Sequence, residues 1–226
     1  LRDFKLSGVA LSGEAKQQYA ALRKRLAELG SQFSENVLDA TQAWHRQFDD
    51  AQDLVGLPDN VLALAAQTAE QKGLSGYVLT LDFPSYNGVM TYADDRSLRE
   101  QVYRAYATRA SDQAEEPERW NNAPLIDELL QQRHALAQLL GFDNYAHYSL
   151  ATKMAESTDQ VVDFLQDLAS KSLPQARQEV AELAEFARDT AGIEQLQAWD
   201  LGYFGEKLRQ HRFDISQEQL RPYFPL

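Results

Sequence analysis

Residues 11–48 read LSGEAKQQYAALRKRLAELGSQFSENVLDATQAWHRQF, and this stretch does most to decide the fold. Its apolar residues recur mainly at steps of three and four, which places them on one face of a helix. A single long amphipathic helix is therefore predicted, and Gly30 inside it indicates close packing or a bend. The apolar positions are Tyr19, Leu22, Leu26, Leu29, Phe33, Val37, Trp44 and Phe48.

Four further helices are predicted from spacing and capping residues as far as Gly192. Residues 61–72 resume the helical period until Gly73, which makes a helical hairpin with the first helix. Asp94 or Asp95 is a suitable N-cap for a helix that carries Leu98 and Val102. The third runs from Asn122 to Gly141. The fourth begins at the capping pair Ser157 and Gln160 and ends by Gly192, and Pro174 is expected to kink or split it. A second capping pair, Ser216 and Gln219, predicts a short helix near the C-terminus.

Only one run is typical of a β-strand. Residues 77–81, YVLTL, are rich in strand-forming side chains and lie between Gly76 and Pro84. The following residues are ambiguous, because Asn87-Gly88 suits a hairpin turn and Pro84 equally suits the first turn of a helix. The predicted fold class is therefore mainly α, an array of long amphipathic helices with at most a small β element near residues 77–92.

The helices divide along the sequence into two groups. Residues 1–110 contain the helical hairpin, the β element and the helix after it. Residues 111–122, which include the acidic run Glu115-Glu116-Pro117-Glu118, are polar and turn-prone and are predicted to form an exposed loop or subdomain joint. Residues 123–226 form a second helical subdomain.

Charge and composition exclude several classes of partner. The net charge of −12 repels nucleic acid and anionic lipid, and no apolar run has the roughly 20 residues that a spanning helix needs. The chain has no cysteine, which excludes disulfides and fits a reducing compartment. A cytoplasmic protein without nucleic-acid or membrane partners is predicted.

No catalytic or metal-binding motif is found. The four histidines, His45, His134, His147 and His211, never fall three or four residues apart, so no helix presents a pair of zinc ligands. Ser85 lies in Pro-Ser-Tyr, not in the turn that exposes a nucleophilic serine, and no glycine-rich phosphate loop occurs. Neither catalytic residues nor metal ligands are therefore assigned to this chain.

An ordered series of short phrases nevertheless resembles a known family. The phrases are Leu81-Asp82-Phe83-Pro84-Ser85-Tyr86, Leu98-Arg99, Arg109-Ala110-Ser111-Asp112, Leu139-Leu140-Gly141-Phe142-Asp143-Asn144-Tyr145-Ala146, Lys153-Met154-Ala155, Trp199-Asp200 with Tyr203, and Leu220-Arg221-Pro222-Tyr223-Phe224-Pro225. In this order the set resembles the thimet oligopeptidase family of zinc peptidases, most closely its bacterial branch. The resemblance covers the whole chain but only a middle portion of such an enzyme.

The resemblance implies a function that this segment does not perform alone. Family members carry a His-Glu-x-x-His zinc motif beyond the matched portion, so zinc is expected in the intact enzyme and not in this segment. The matched portion builds one wall of a narrow channel for short peptides, with a small sheet whose edge holds an extended chain. One departure is visible, since relatives commonly have two tyrosines where this chain has Tyr203-Phe204.

Tyr86, Tyr203 and Tyr223 are the candidate peptide contacts, because aromatic rings bind apolar side chains while their hydroxyls hold backbone groups. The main hypothesis is a non-catalytic segment of a zinc oligopeptidase, inactive alone, that joins missing N- and C-terminal parts of the same chain. Faces that meet those parts are expected to be apolar, which predicts self-association or marginal stability of the segment. The alternative is an all-helical interaction or scaffold module with no enzymatic role.

Overall fold

The computed structural model describes residue 4, residues 6–214 and residue 223. The fold is mainly helical, with one small antiparallel sheet, as the sequence predicts. The helices are α1 (Gly13–Ala43), α2 (Asp59–Gln71), α3 (Phe83–Tyr92), α4 (Arg96–Thr108), α5 (Pro117–Trp120), α6 (Ala123–Leu139), α7 (Tyr145–Leu150), α8 (Thr158–Ala191) and α9 (Leu201–Phe213), the strands are β1 (His45–Phe48) and β2 (Tyr77–Thr80), and 3₁₀ turns cover Ala51–Leu54 and Ala198–Asp200.

The first helix ends earlier than its apolar period indicates. The prediction that it runs through Trp44 to Phe48 is wrong, because α1 stops at Ala43 and β1 follows. β1 pairs antiparallel with β2, in a register that sets His45 opposite Thr80 and Phe48 opposite Tyr77. Phe48 packs on the core from this strand, and a four-residue step fits both a helical and an alternating pattern.

The predicted strand is confirmed at Tyr77–Thr80, and the ambiguous residues after it form a helix. Pro84 lies in the first turn of α3, where a missing N–H costs nothing. Gly88 faces α2 closely, since a Cβ built on it would lie 2.8 Å from Cγ1 of Val61. The glycine of the Asn87-Gly88 pair thus permits helix contact and does not turn a hairpin.

A hydrophobic core forms where β2 packs against α2, α3 and α4. Val89 and Val102 are 0% exposed, and Leu79 on the strand is also 0% exposed. Half-buried aromatic side chains close the edge of this core. The buried members are Leu54, Leu57, Val61, Ala65, Leu79, Leu81, Val89, Ala93, Leu98 and Val102.

The chain separates into two compact units that each combine distant stretches of sequence. The first contains residues 1–37, 110–112 and 116–175, and the second contains residues 38–109, 113–115 and 176–226. The division of the sequence at 111–122 is a different kind of boundary, drawn from composition alone, and it stays a prediction.

Asn122 organises the first unit from a buried position. It is 2% exposed, its Nδ2 donates to the carbonyl of Phe33 at 3.1 Å, and its Oδ1 accepts from Nδ2 of Asn36 at 2.8 Å. Its backbone N–H donates to the carbonyl of Ala110 at 3.0 Å. The last residue of the predicted loop therefore anchors α1 to the start of α6.

The long helix α8 runs without interruption through Pro174, so the helix is not split there, and the alternative of a kink at Pro174 stays a prediction. The Ser157 half of the predicted capping pair is confirmed, because Ser157 Oγ accepts from the N–H of Gln160 at 3.1 Å. Gln160 Oε1 accepts from the N–H of Glu156, one residue before Ser157, at 2.7 Å. The helix predicted from Ser216 and Gln219 lies outside the described residues. None of the helices in residues 6–214 has the length and apolar content needed to cross a bilayer.

Candidate functional site

A buried carboxylate lies at the start of α9. Asp200 is 0% exposed and accepts from the backbone N–H of Gln197 at 2.9 Å. Its Oδ2 also accepts from Nη2 of Arg96 at 2.7 Å, and its Oδ1 accepts from Nη2 of Arg99 at 3.0 Å. Two guanidinium groups of α4 therefore fix the 3₁₀ turn that precedes α9.

The charge of Asp200 is kept in the folded state by these partners. Burial raises the pKa of Asp200, but hydrogen bonds from Arg96, from the Gln197 backbone and from Arg99 outweigh it, and the pKa lies below its ordinary value. The same contact with Asp200 raises the pKa of Arg96. A buried aspartate held ionised between two arginines is a structural ion centre, since all of its charge is already compensated.

Arg99 is occupied on every side. Its Nη1 donates to the carbonyl of Ala93 at 2.7 Å, and its Nε donates to the carbonyl of Trp199 at 3.2 Å. The residue is 1% exposed. Because its Nε, Nη1 and Nη2 all donate to backbone carbonyls or to Asp200, Arg99 positions α4, α9 and the turn between α3 and α4.

Tyr203, one turn into α9, is held by the same group. Its hydroxyl donates to Oδ1 of Asp94 at 2.8 Å, and the guanidinium carbon of Arg99 lies 4.1 Å from its ring centroid. Lys207 lies on the ring as well, at 5.0 Å, and pairs with Asp94 at 3.5 Å. Burial first, and then the hydrogen bond to Asp94, raise the pKa of Tyr203 to about 12.

Tyr86, on α3, belongs to a second aromatic group. Its ring stacks on that of Tyr106, with centroids 3.8 Å apart and an interplanar angle of 18°. The guanidinium of Arg109 lies 3.7 Å from the Tyr106 ring. Burial raises the pKa of Tyr86, and the neighbouring Tyr103 and Tyr106 add to this rise.

Trp199 extends the aromatic surface toward Asp200. Its ring lies 5.9 Å from that of Tyr103, and the guanidinium of Arg104 lies 5.1 Å from it. Nε1 of Trp199 and Nε of Arg109 are buried, and neither has a hydrogen-bond partner among the described residues. Tyr103 therefore links the stacked pair of tyrosines to the turn that carries Asp200.

The three predicted contact tyrosines are placed differently. Tyr86 and Tyr203 belong to the second compact unit, on α3 and α9, which pack on each other where Gly202 meets the carbonyl of Met90. Tyr223 is 79% exposed, and the residues on both sides of it lie outside the described ranges. The role of these tyrosines as peptide contacts stays a prediction.

The ion centre was not predicted as a site. Arg96 and Asp200 are separated by 104 residues, so no local period reveals the pair. The only available signal was that Leu98-Arg99 and Trp199-Asp200 both occur among the phrases of the family resemblance. The contact explains why both phrases belong to one pattern.

The described residues do not fit a zinc ion. Nowhere in residues 6–214 do three histidine, cysteine or acidic side chains come together as metal ligands. The nearest arrangement is a pair, with Nδ1 of His147 3.6 Å from Oδ2 of Asp143, and that carboxylate is 91% exposed. The geometry of the described residues suits positioning of helices and presentation of aromatic rings.

Among the described residues, the mainly helical fold carries a buried ion centre with aromatic rings beside it. A family model described as Peptidase family M3 matches residues 89–226. The chain belongs to peptidase family M3, in agreement with the family that the sequence resembles.

Three curated relatives match the entire chain. It is 55% identical over 225 residues to "Oligopeptidase A" of Salmonella typhimurium and 54% identical over 225 residues to "Oligopeptidase A" of Escherichia coli. It is 39% identical over 235 residues to "Probable cytosolic oligopeptidase A" of Arabidopsis thaliana. In each case the match covers 100% of this chain and 33% of the relative, so the chain spans one third of their length.

The departure at Tyr203-Phe204 falls on a buried position. Phe204 is 3% exposed, and its ring meets that of Tyr203 edge-on, with centroids 5.1 Å apart. A buried hydroxyl needs a hydrogen-bond partner, whereas the phenylalanine ring needs only packing. Phe204, which has no hydroxyl to pair, therefore suits the core of the second unit better than a tyrosine would.

Proposed function

We propose that this chain is a non-catalytic segment of a zinc-dependent oligopeptidase that cleaves short, unstructured peptides, and that it forms part of the channel wall. The observation that carries the proposal is the 55% identity to an oligopeptidase A over the full length of the chain. The name "oligopeptidase" gives the substrate class, and zinc would be held by the part of the enzyme outside this segment. A cytoplasmic location is proposed with it, supported by the relative named as cytosolic.

Tyr86, Tyr203 and Tyr223 remain the proposed peptide contacts. The hydroxyl of Tyr203 already donates a hydrogen bond to Asp94, so Tyr203 would contact a peptide through the edge of its ring. Tyr86 stacks on Tyr106, and Tyr103 lies near Trp199, so these rings offer apolar surface in the second unit. In the full-length enzyme, Tyr86→Ala and Tyr223→Ala are the direct tests, with an increased KM as the expected result.

The small sheet supports the same proposal. β1 pairs with β2 on one side only, and a strand edge can bind an extended peptide through backbone hydrogen bonds. Such pairing is insensitive to peptide sequence, because every peptide has the same backbone. This property is what an enzyme for many short peptides requires.

Two experiments separate the peptidase from the alternative, a helical scaffold module. Sequencing the gene beyond the codon for Leu226 is expected to find His-Glu-x-x-His, whereas a stop codon directly after it favours the scaffold. The full-length polypeptide is expected to hydrolyse a quenched fluorescent peptide until a chelator is added, and this chain alone is expected to be inactive. Stoichiometric zinc in the purified chain would contradict the proposal.

A further inference from the structure

One segment of α8 is exposed on all of its faces. Every residue from 162 to 175 is exposed, although a surface helix ordinarily buries one face against its own domain. Phe164 is 64% exposed, Leu165 is 54% exposed and Leu168 is 52% exposed. These three residues, called the α8 patch, lie within about 100° of one another around the helix at 100° per residue.

The opposite face of the same segment is polar and needs no cover. Asp163 and Ser170 lie there, and Asp167 pairs with Lys171 at 2.6 Å. The helix is therefore amphipathic, with an apolar side exposed to water at a cost of about 25 cal/mol for each Å² of apolar surface. Such a side marks a surface that another element covers.

We infer that the α8 patch is covered by the part of the same polypeptide that lies outside this segment. This inference rests on the proposed function. The matched relatives are three times as long as this chain, so enough protein is available in the same molecule to cover the patch. A tethered surface also binds at a high effective concentration, which a separate partner lacks.

A second copy of the chain fits the patch less well. Each copy carries a net charge of −12, so charge repulsion makes the contact between two separate copies weaker than contact with a tethered part of the same molecule. The covering surface is therefore expected to be apolar and helical, as is the patch itself.

Thiol labelling of the full-length enzyme tests the inference. The segment contains no cysteine, so each variant introduces a single reactive thiol into it. Leu168→Cys places this thiol in the α8 patch, and the matched control Asp163→Cys places it on the opposite face of the same helix. Alkylation with iodoacetamide, followed for the α8 peptide by mass spectrometry, is expected to be at least about tenfold slower for Leu168→Cys. Unfolding in denaturant is expected to remove the difference.

Two results would overturn the inference. One is equal alkylation rates for the two variants in the folded enzyme. The other is protection that appears only when the enzyme dimerises, as shown by sedimentation at the labelling concentration, because the occupant would then be a second copy. Leu165→Cys replaces Leu168→Cys if that variant does not fold, and peptide hydrolysis by the unmodified enzyme tests the proposed function separately from the labelling.

Discussion

At the scale of single residues, the ion centre around Asp200 shows how a buried charge is compensated. Arg99 has a side chain that is 2% exposed, and Arg96 covers the carboxylate from the more exposed side. Removing one partner of such a group leaves an uncompensated charge in the interior, which costs far more than losing a surface pair. The residue types alone did not predict this centre, because 34 acidic side chains offer many equivalent partners.

We expect Asp200→Asn to lower the free energy of unfolding by about 3–5 kcal/mol, since it leaves Arg99 buried without its counter-charge. The control is Glu100→Gln, which removes an exposed pair with Arg104 at 2.8 Å and should cost about 0.5 kcal/mol or less. Urea unfolding of both variants measures the difference. Equal stabilities would contradict the assigned role of the centre.

The same variant has a defined pH dependence. Because the folded-state pKa of Asp200 is below its ordinary value, its contribution is present above that ordinary value and is lost as the pH falls through the folded-state pKa. The stability gap between the native chain and Asp200→Asn is therefore expected to shrink in acid. A gap that widens on acidification would be inconsistent with an ionised Asp200.

Tyr203 provides a spectroscopic prediction. Its pKa of about 12 places its ionisation late in an alkaline titration followed by phenolate absorbance. Tyr203→Phe is expected to reduce the late component, to which Tyr86 and Tyr148 also contribute because burial raises their pKa values. A raised folded-state pKa also means that the stabilising contribution of Tyr203 is lost as the pH rises toward 12.

At the scale of elements, two glycines in helices have opposite roles. Gly30 was expected to allow close packing or a bend, but a Cβ at this position would meet nothing within 4 Å. Gly88 is different, because a Cβ there would lie 2.8 and 2.9 Å from the two methyl carbons of Val61. The residue type is the same, and only the neighbouring helix separates the two cases.

We therefore expect Gly30→Ala to stabilise the chain by about 0.5–1 kcal/mol, through the loss of backbone freedom in the unfolded state. Gly88→Ala is expected to destabilise it by about 1–3 kcal/mol, because the buried and β-branched Val61 has little freedom to move. Thermal unfolding followed by circular dichroism compares the pair. A destabilised Gly30→Ala variant would show that the packing around α1 is tighter than described.

Element types were predictable where the local signal was unambiguous. Asp95 caps α4 by accepting from the N–H of Ser97 at 2.8 Å, and Gly141 ends α6 with a positive φ of 82°, both as expected. β1 was missed because its pairing partner is β2, roughly 30 residues further along the chain, and only that pairing makes the segment a strand.

At the scale of the whole molecule, exposed apolar side chains predict association of the isolated chain. Besides the α8 patch, Ile126 is 45% exposed and Leu130 is 58% exposed on α6. We expect the weight-average mass in sedimentation to rise above 25.6 kDa as the concentration increases. A double variant, Phe164→Gln with Leu168→Gln, is expected to reduce this rise. Asp163→Gln with Ser170→Gln is the matched control, and a stable monomer at all concentrations would contradict the prediction.

The sequence alone determined the helical class, the approximate ends of α2, α4, α6 and α8, the position of β2 and the peptidase family, because periodicity, capping residues and ordered phrases are local or additive signals. The tertiary structure alone decided that residues 45–48 pair as a strand, that Arg96 and Arg99 meet Asp200, and that Tyr203 is held by Asp94. These features depend on contacts between residues far apart in the chain. Such contacts are selected by the packing of whole elements, which no local pattern specifies.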